Sequence, residues 1–175
     1  KKFNTSVVEP YNKEIKNQLP LNINVFEKIT DIPKSDYYDG ITLWHVLEHL
    51  SNPEHVLSKI HNLLEKNGVL MIAVPNISSL DARYYKSYWA ALDVPRHIWH
   101  YTIKGIISLV ESKGFKLEKK YPLFLDAFYI SYISEKYKNS HLALFRGFLF
   151  AMRSNFSALF NEEFSSMIFV FKKTI

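Results

Sequence analysis

An α/β domain with at least one parallel strand pair is the fold class the sequence predicts, and three observations predict it. Residues 41–43 (Ile-Thr-Leu) form a short, largely apolar run with a β-branched start and residues 69–74 a continuous apolar one, the pattern of buried strands. Between them Leu47, Leu50, Val56, Leu57, Ile60, Leu63 and Leu64 recur at roughly helical spacing. Strand, amphipathic helix and strand in that order form a crossover unit whose two strands run parallel.

The elements follow in order. Val7 and Val8 end a short buried strand, with Glu9 at its tip and Pro10 after it. Residues 11–19 predict a helix stopped by Pro20, and residues 23–26 a second short strand. A loop over 29–38 leads into the crossover unit. Its helix starts near Asn52-Pro53, since Asn caps well and Pro fits the first helical position. Asn67-Gly68 reads as the stop before the next strand.

Residues 77–100 carry few strand or helix signals and read as a long loop rich in aromatic residues. Thr102 then caps a helix over 103–113 that Gly114 ends, and residues 115–121 form a strand stopped by Pro122. Residues 123–164 read as two helices broken near Asn139-Ser140, a helical insertion forming a cap before a last strand over 166–171. The helix from Leu142 to Phe160 is apolar and basic, and is expected to pack over its own domain rather than on a membrane surface or a partner.

Composition bounds the rest. A chain of 175 residues, 47% hydrophobic and 15% aromatic, is enough for one globular domain, taken as residues 1–175. It has no cysteine, which excludes disulfides and thiolate metal sites and fits a reducing, cytoplasmic setting. No apolar run reaches the roughly 18 residues of a membrane span. The net charge is +5, but the lysines are scattered, so no nucleic-acid partner is expected. Five glycines are few for a nucleotide-binding α/β domain.

In open α/β sheets ligands sit at the carboxyl ends of the strands, which here carry Trp44, His45 and Glu48, and separately Pro75 and Asn76. Glu9, beyond an early strand, can accept hydrogen bonds from a ribose diol; such a residue is more often simply solvated. His45 and His49 are four residues apart with Glu48 beside them, a spacing seen in metal sites. No third ligand is evident, so no metal is expected, and Glu48 and His49 read as ordinary polar residues. Arg96, His97 and His100 form a second cluster. Imidazole is a general base near neutral pH and Arg binds carboxylate or phosphate in a fork. Tyr84, Tyr85, Tyr88, Trp89, Trp99 and Tyr101 can wall an acceptor pocket or cover the core; the two weigh about evenly.

Taken together, these motifs resemble the class I S-adenosylmethionine-dependent methyltransferases, in the branch with a Pro-Arg-His loop. The likeness rests on Val7-Val-Glu-Pro10, residues 39–50 with Leu47-Glu-His49, residues 68–76, Pro95-Arg-His97 with His100, and Gly114-Phe115, all in register. It implies a Rossmann-like methyltransferase sheet and methyl transfer from S-adenosylmethionine to a small-molecule acceptor. Glu9 matches the residue on the ribose hydroxyls, and Leu43, Trp44 and His45 the segment passing the methionine part. Ile29 falls near the adenine, although Lys28 departs from the usual acidic residue there. Arg96, Tyr88 and Trp89 would meet the acceptor, and His97 or His100 would take its proton.

The family's first strand and glycine-rich turn have no counterpart in the sequence, so the sheet is expected to be incomplete at the N-terminus. That strand is the central one, and its absence would leave edges unpaired unless neighbours close up or a second copy pairs there as a homodimer. The alternative is a non-catalytic module that keeps the fold's shell for binding or as a scaffold.

Overall fold

The structure is a computed structural model that describes residues 5–10, 14, 18–20, 23–33, 35 and 37–174. The expected helix over 11–19 lies mostly outside these residues. In chain order the elements are β1 (Ser6–Val8), β2 (Asn24–Phe26), β3 (Tyr38–Trp44), α1 (Pro53–Leu63), β4 (Leu64–Pro75), α2 (Leu80–Tyr85), α3 (Ile103–Glu111), β5 (Phe115–Pro122), α4 (Asp126–Tyr137), α5 (Ala143–Asn161) and β6 (Ser166–Lys173). No helix among the described residues is long and apolar enough to cross a membrane.

Two sheets form. β1 and β2 pair in parallel, with Val7 opposite Val25. The other sheet has the order β3-β4-β6-β5. β3 and β4 are parallel, with Ile41 opposite Leu70 and Leu43 opposite Ile72. β6 lies antiparallel between β4 and β5. β3 is therefore an edge strand, and its outer edge has no strand partner among the described residues.

The crossover unit forms as its residues dictate. Asn52 accepts a hydrogen bond from the His55 amide at 3.0 Å, and Pro53 opens α1. α1 buries Leu57 and Ile60 against Leu70, Ile72, Ile106, Val110, Phe169 and Phe171 in one contiguous core. Each large apolar side chain taken out of water there contributes roughly 1.5–3 kcal/mol. Thr102 caps α3 by accepting from the Gly105 amide at 3.0 Å. Gly114 follows with φ 85°, where an added Cβ would stand 2.8 Å from His61 Nε2.

The helix stop differs from expectation. α1 ends at Leu63; the next residue, Leu64, is already extended (φ −81°, ψ 140°) and begins β4. Asn67, at φ 68°, and Gly68 instead lie within β4, where the pairing with β3 shifts register between Tyr38 and Gly40. Gly68 is needed for a close approach: a Cβ there would be 2.9 Å from the Glu65 carbonyl oxygen.

Residues 77–92 are more regular than a loop. Ser79 caps α2 by accepting from the Ala82 amide at 3.2 Å, and two 3₁₀ turns follow over 86–88 and 90–92. Asp81 is fully buried and accepts from Trp89 Nε1 at 2.8 Å, Ser154 Oγ at 2.9 Å and Ser165 Oγ at 2.5 Å. One carboxylate thus ties α2 and its following turn to α5 and to the start of β6. Trp89 is consequently 2% exposed and packs with Tyr85, Ala91 and Ile130 in a second core cluster.

Between β5 and β6, α4 and α5 pack on each other. α5 buries Gly147, Ala151, Ser154 and Ala158, one stripe of small residues at helical spacing. Gly147 lies so close to α4 that a Cβ would sit 2.7 Å from Tyr132 Cα. The helix packs over its own domain as expected, but through this small stripe rather than through its large apolar side chains. Leu144, Phe145, Met152, Phe156, Leu159 and Phe160 are exposed, because the small stripe already occupies the contact.

Candidate active site at the carboxyl ends of β3 and β4

The site starts where β3 ends. The His45 amide donates to the Ala73 carbonyl at 3.0 Å, prolonging the β3–β4 pairing by one bond. His45 then takes φ 49°, a left-handed conformation that His tolerates better than most side chains and that turns the chain out of the sheet. A 3₁₀ turn over Leu47–His49 follows, with Leu47 and Glu48 both buried. Glu48 is 1% exposed, which corrects its reading as an ordinary polar residue.

His45 sits between two carboxylates. Its Nδ1 is 3.2 Å from Glu48 Oε1 and its Nε2 is 3.3 Å from Asp126 Oδ2, at the first turn of α4. Hydrogen bonding to Asp126 first and Glu48 second raises its pKa from 6.5 to about 9, against the opposing effect of burial. At neutral pH it is an imidazolium with both N–H groups engaged.

A second segment is strapped onto this turn. The Glu48 carbonyl accepts from the amides of Ile98 at 2.9 Å and Trp99 at 3.2 Å. Trp99 Nε1 donates to the Leu50 carbonyl at 2.9 Å. His49 Nδ1 lies 3.0 Å from the Arg96 carbonyl oxygen. These bonds, rather than side-chain packing alone, bring the Pro95-Arg-His97 loop against Leu47-Glu-His49. The rings of His49 and His97 meet edge to face, with centroids 4.6 Å apart. Tyr101, buried at the end of the strap, has its phenol pushed above its usual pKa by burial and then by the Glu48 charge.

Within the loop, His97 Nδ1 lies 2.8 Å from the Ala91 carbonyl oxygen and His100 Nε2 2.9 Å from that of Leu92. A carbonyl oxygen only accepts, so these nitrogens carry the ring protons. In the neutral rings the lone pairs therefore lie on His97 Nε2, 3.8 Å from Asp93 Oδ2, and on His100 Nδ1. Arg96 is exposed and makes a fork to Asp93 Oδ1, at 2.6 Å from Nη2 and 3.1 Å from Nε.

The sequence-derived site residues are thus placed unequally. His45, Arg96, His97 and His100 gather at this edge, joined by Glu48, His49 and Asp126. The last of these was missed, since nothing in the sequence marks a residue 81 positions after His45 as its partner. Leu43 packs on the main core, while Trp44 and Tyr88 are about half exposed. Trp89 does not present a face to a ligand: its burial and its indole bond to Asp81 make it a support of the loop. Glu9 and Ile29 follow β1 and β2. The Glu9 amide donates to the Phe26 carbonyl at 2.9 Å, and Ile29 packs against the main core.

The sequence model of a methyltransferase domain matches residues 1–120. The chain belongs to that family. A search of curated proteins gives no match. Among solved structures, the chain is similar to an S-adenosylmethionine-dependent methyltransferase from Thermotoga maritima, at 15% identity and a TM-score of 0.61, covering 98% of this chain and 73% of that one. It is also similar to a 1,6-didemethyltoxoflavin-N1-methyltransferase from Burkholderia thailandensis, with bound 1,6-didemethyltoxoflavin and S-adenosylhomocysteine. There the identity is 13% and the TM-score 0.55, over 98% of this chain and 61% of that one. A coclaurine N-methyltransferase bound to N-methylheliamine and S-adenosylhomocysteine gives 18% and 0.53, over 97% and 60%. At these identities the likeness is one of fold. The methyltransferase-domain chain described here spans about 60–73% of the length of these structures.

Proposed function

We propose that the protein transfers a methyl group from S-adenosylmethionine to an oxygen or nitrogen of a small-molecule acceptor. The observation that carries this reading is the meeting of two loops at the carboxyl edge of a parallel strand pair, in a chain of the methyltransferase-domain family. That edge is where open α/β sheets hold their ligands.

The donor set suits three parts of the cofactor. Glu9 offers a carboxylate to the ribose diol, Ile29 an apolar wall to the adenine, and the backbone of Leu43, Trp44 and His45 a rim for the methionine part. The five glycines, at 40, 68, 105, 114 and 147, supply no glycine-rich turn beside these positions. When bound, the cofactor supplies an electrophilic methyl on a sulfonium.

The chain's own residues do the rest. Tyr88 and the exposed guanidinium of Arg96 stand at the acceptor's rim. One of the two imidazole lone pairs, His97 Nε2 or His100 Nδ1, takes the acceptor's proton as its oxygen or nitrogen becomes the nucleophile. The carbonyls of Ala91 and Leu92 hold the tautomer that makes this direction of transfer available. His45, with both N–H groups engaged, positions the loop and does not exchange protons near neutral pH.

Calorimetric titration with S-adenosylhomocysteine tests the reading. Binding that Glu9→Ala weakens by roughly 10–100-fold is expected, the loss of a charge-assisted hydrogen-bonding group. A folded sample that releases no heat, or one indifferent to Glu9→Ala, refutes it.

A further inference from the structure

The structure assigns a divalent-metal site to Glu48, His49 and His97. The sequence shows only two of the three as neighbours, which is why no metal was expected from it. The strap of residues 96–99 brings the third. One ligand atom from each residue lies within 4.8 Å of those of the other two. Ligand atoms about 2.0–2.2 Å from one first-row cation lie roughly 3.3–3.6 Å apart in a tetrahedral site, so side-chain rotations that draw the three atoms together by about an ångström complete it.

Two independent features favour a cation over a simple polar cluster. The first is the state of the imidazoles. His49 Nδ1 faces the Arg96 carbonyl at 3.0 Å and His97 Nδ1 the Ala91 carbonyl at 2.8 Å. Each Nδ1 donates its proton to a carbonyl, so in the neutral ring the lone pair lies on Nε2; His97 Nε2 also lies 3.8 Å from Asp93 Oδ2. Metal-binding histidines are oriented in this way, with the other ring nitrogen bonded to a carbonyl or carboxylate. The second feature is Glu48. Its Oε1 is engaged by His45, but its Oε2 is buried and has no hydrogen-bond partner. An orphaned buried carboxylate oxygen is costly. Balancing the charge of His45 explains Oε1 and leaves Oε2 unexplained; a cation accounts for it.

The surrounding charges agree. Three carboxylates, Glu48, Asp126 and Asp93, stand around the cluster, Asp93 facing His97 as well as the Arg96 guanidinium. Two imidazole nitrogens and one carboxylate oxygen suit zinc, iron(II), cobalt or nickel better than magnesium or calcium. Three protein ligands leave coordination positions open for water or for an oxygen of a ligand. Metal binding here does not depend on the methyl-transfer reading. Where both hold, His97 belongs to the cation and His100 Nδ1 is left as the proton acceptor.

The experiment is a titration of chelator-treated protein with Co²⁺, followed by its visible absorption, with Zn²⁺ as the displacing ion. One Co²⁺ per chain is expected, displaced by Zn²⁺. His49→Ala and His97→Ala, at an exposed and a half-buried position, should each weaken binding by at least about tenfold. His55→Ala, an exposed histidine on α1, should leave binding unchanged. Circular dichroism of each sample establishes folding. A folded chain that takes up neither ion, or uptake that survives the double His49→Ala/His97→Ala variant, overturns the assignment.

Discussion

Gly147→Ala is the sharpest test of how the helical layer is built. In isolation the change favours folding, because Ala suits a helix interior better than Gly by roughly 1 kcal/mol. The packing opposes it. The new Cβ would stand 2.7 Å from Tyr132 Cα, 2.8 Å from Tyr132 N and 3.1 Å from Ser131 C. All three atoms are backbone, so no rotamer change relieves the overlap. α5 must move away from α4 by close to an ångström, loosening the Ser154–Asp81 bond on the same stripe. Overpacking of this kind costs about 1–3 kcal/mol. Counting the loosened hydrogen bond at about 1 kcal/mol and subtracting the propensity gain leaves a net loss of roughly 1–3 kcal/mol. For a domain of this size that is a fall in Tm of roughly 2–12 °C. Urea unfolding of both chains, with unchanged slopes, measures it. Gly105→Ala is the control: its Cβ would meet only the Thr102 hydroxyl, a side-chain atom, at 3.1 Å. A Gly147→Ala chain as stable as the parent, or more stable, would show that α4 and α5 are not held at this distance.

Other outcomes follow from the buried charges. The unfolded chain releases the His45 proton near pH 6.5, whereas the folded chain keeps it to about 9. This contribution to stability is therefore complete below pH 6.5, declines as the pH rises through that window and is gone above it. His45→Gln should flatten the loss of stability across the window, read by urea unfolding at several pH values. Asp81→Ala should cost about 3 kcal/mol or more, since Trp89 Nε1, Ser154 Oγ and Ser165 Oγ would lose their shared acceptor. A drop below about 1 kcal/mol in denaturant unfolding would contradict the network.

The local signals in the sequence were read where the physics is local. Asn52-Pro53 and Thr102 start helices because a side-chain oxygen meets an amide three residues on. The break between α4 and α5 falls near Asn139, which takes φ 55°. The helix α2 was hidden, because its cap Ser79 and its Asp81 look like loop residues until their long-range partners are known. Gly68 misled for a related reason: it answers to the Glu65 carbonyl within β4 rather than to a helix end. At the site, the pairing of the Glu48 carbonyl with Ile98 and Trp99 spans some fifty residues, so the burial of Glu48 has no local signature.

The two fastenings of the helical layer bear on how a ligand would come and go. At one end Asp126 grips His45, and at the other Asp81 and Asn76 clamp α5 and the approach to β6, Asn76 Nδ2 donating to Glu163 at 2.7 Å and to the Phe164 carbonyl at 3.1 Å. A swing of this layer would strip partners from a buried carboxylate and an imidazolium at once. The layer is a wall rather than a door. The exposed corner around Val94 and Arg96 lies outside both fastenings, so it is the part of this edge that can shift without breaking either.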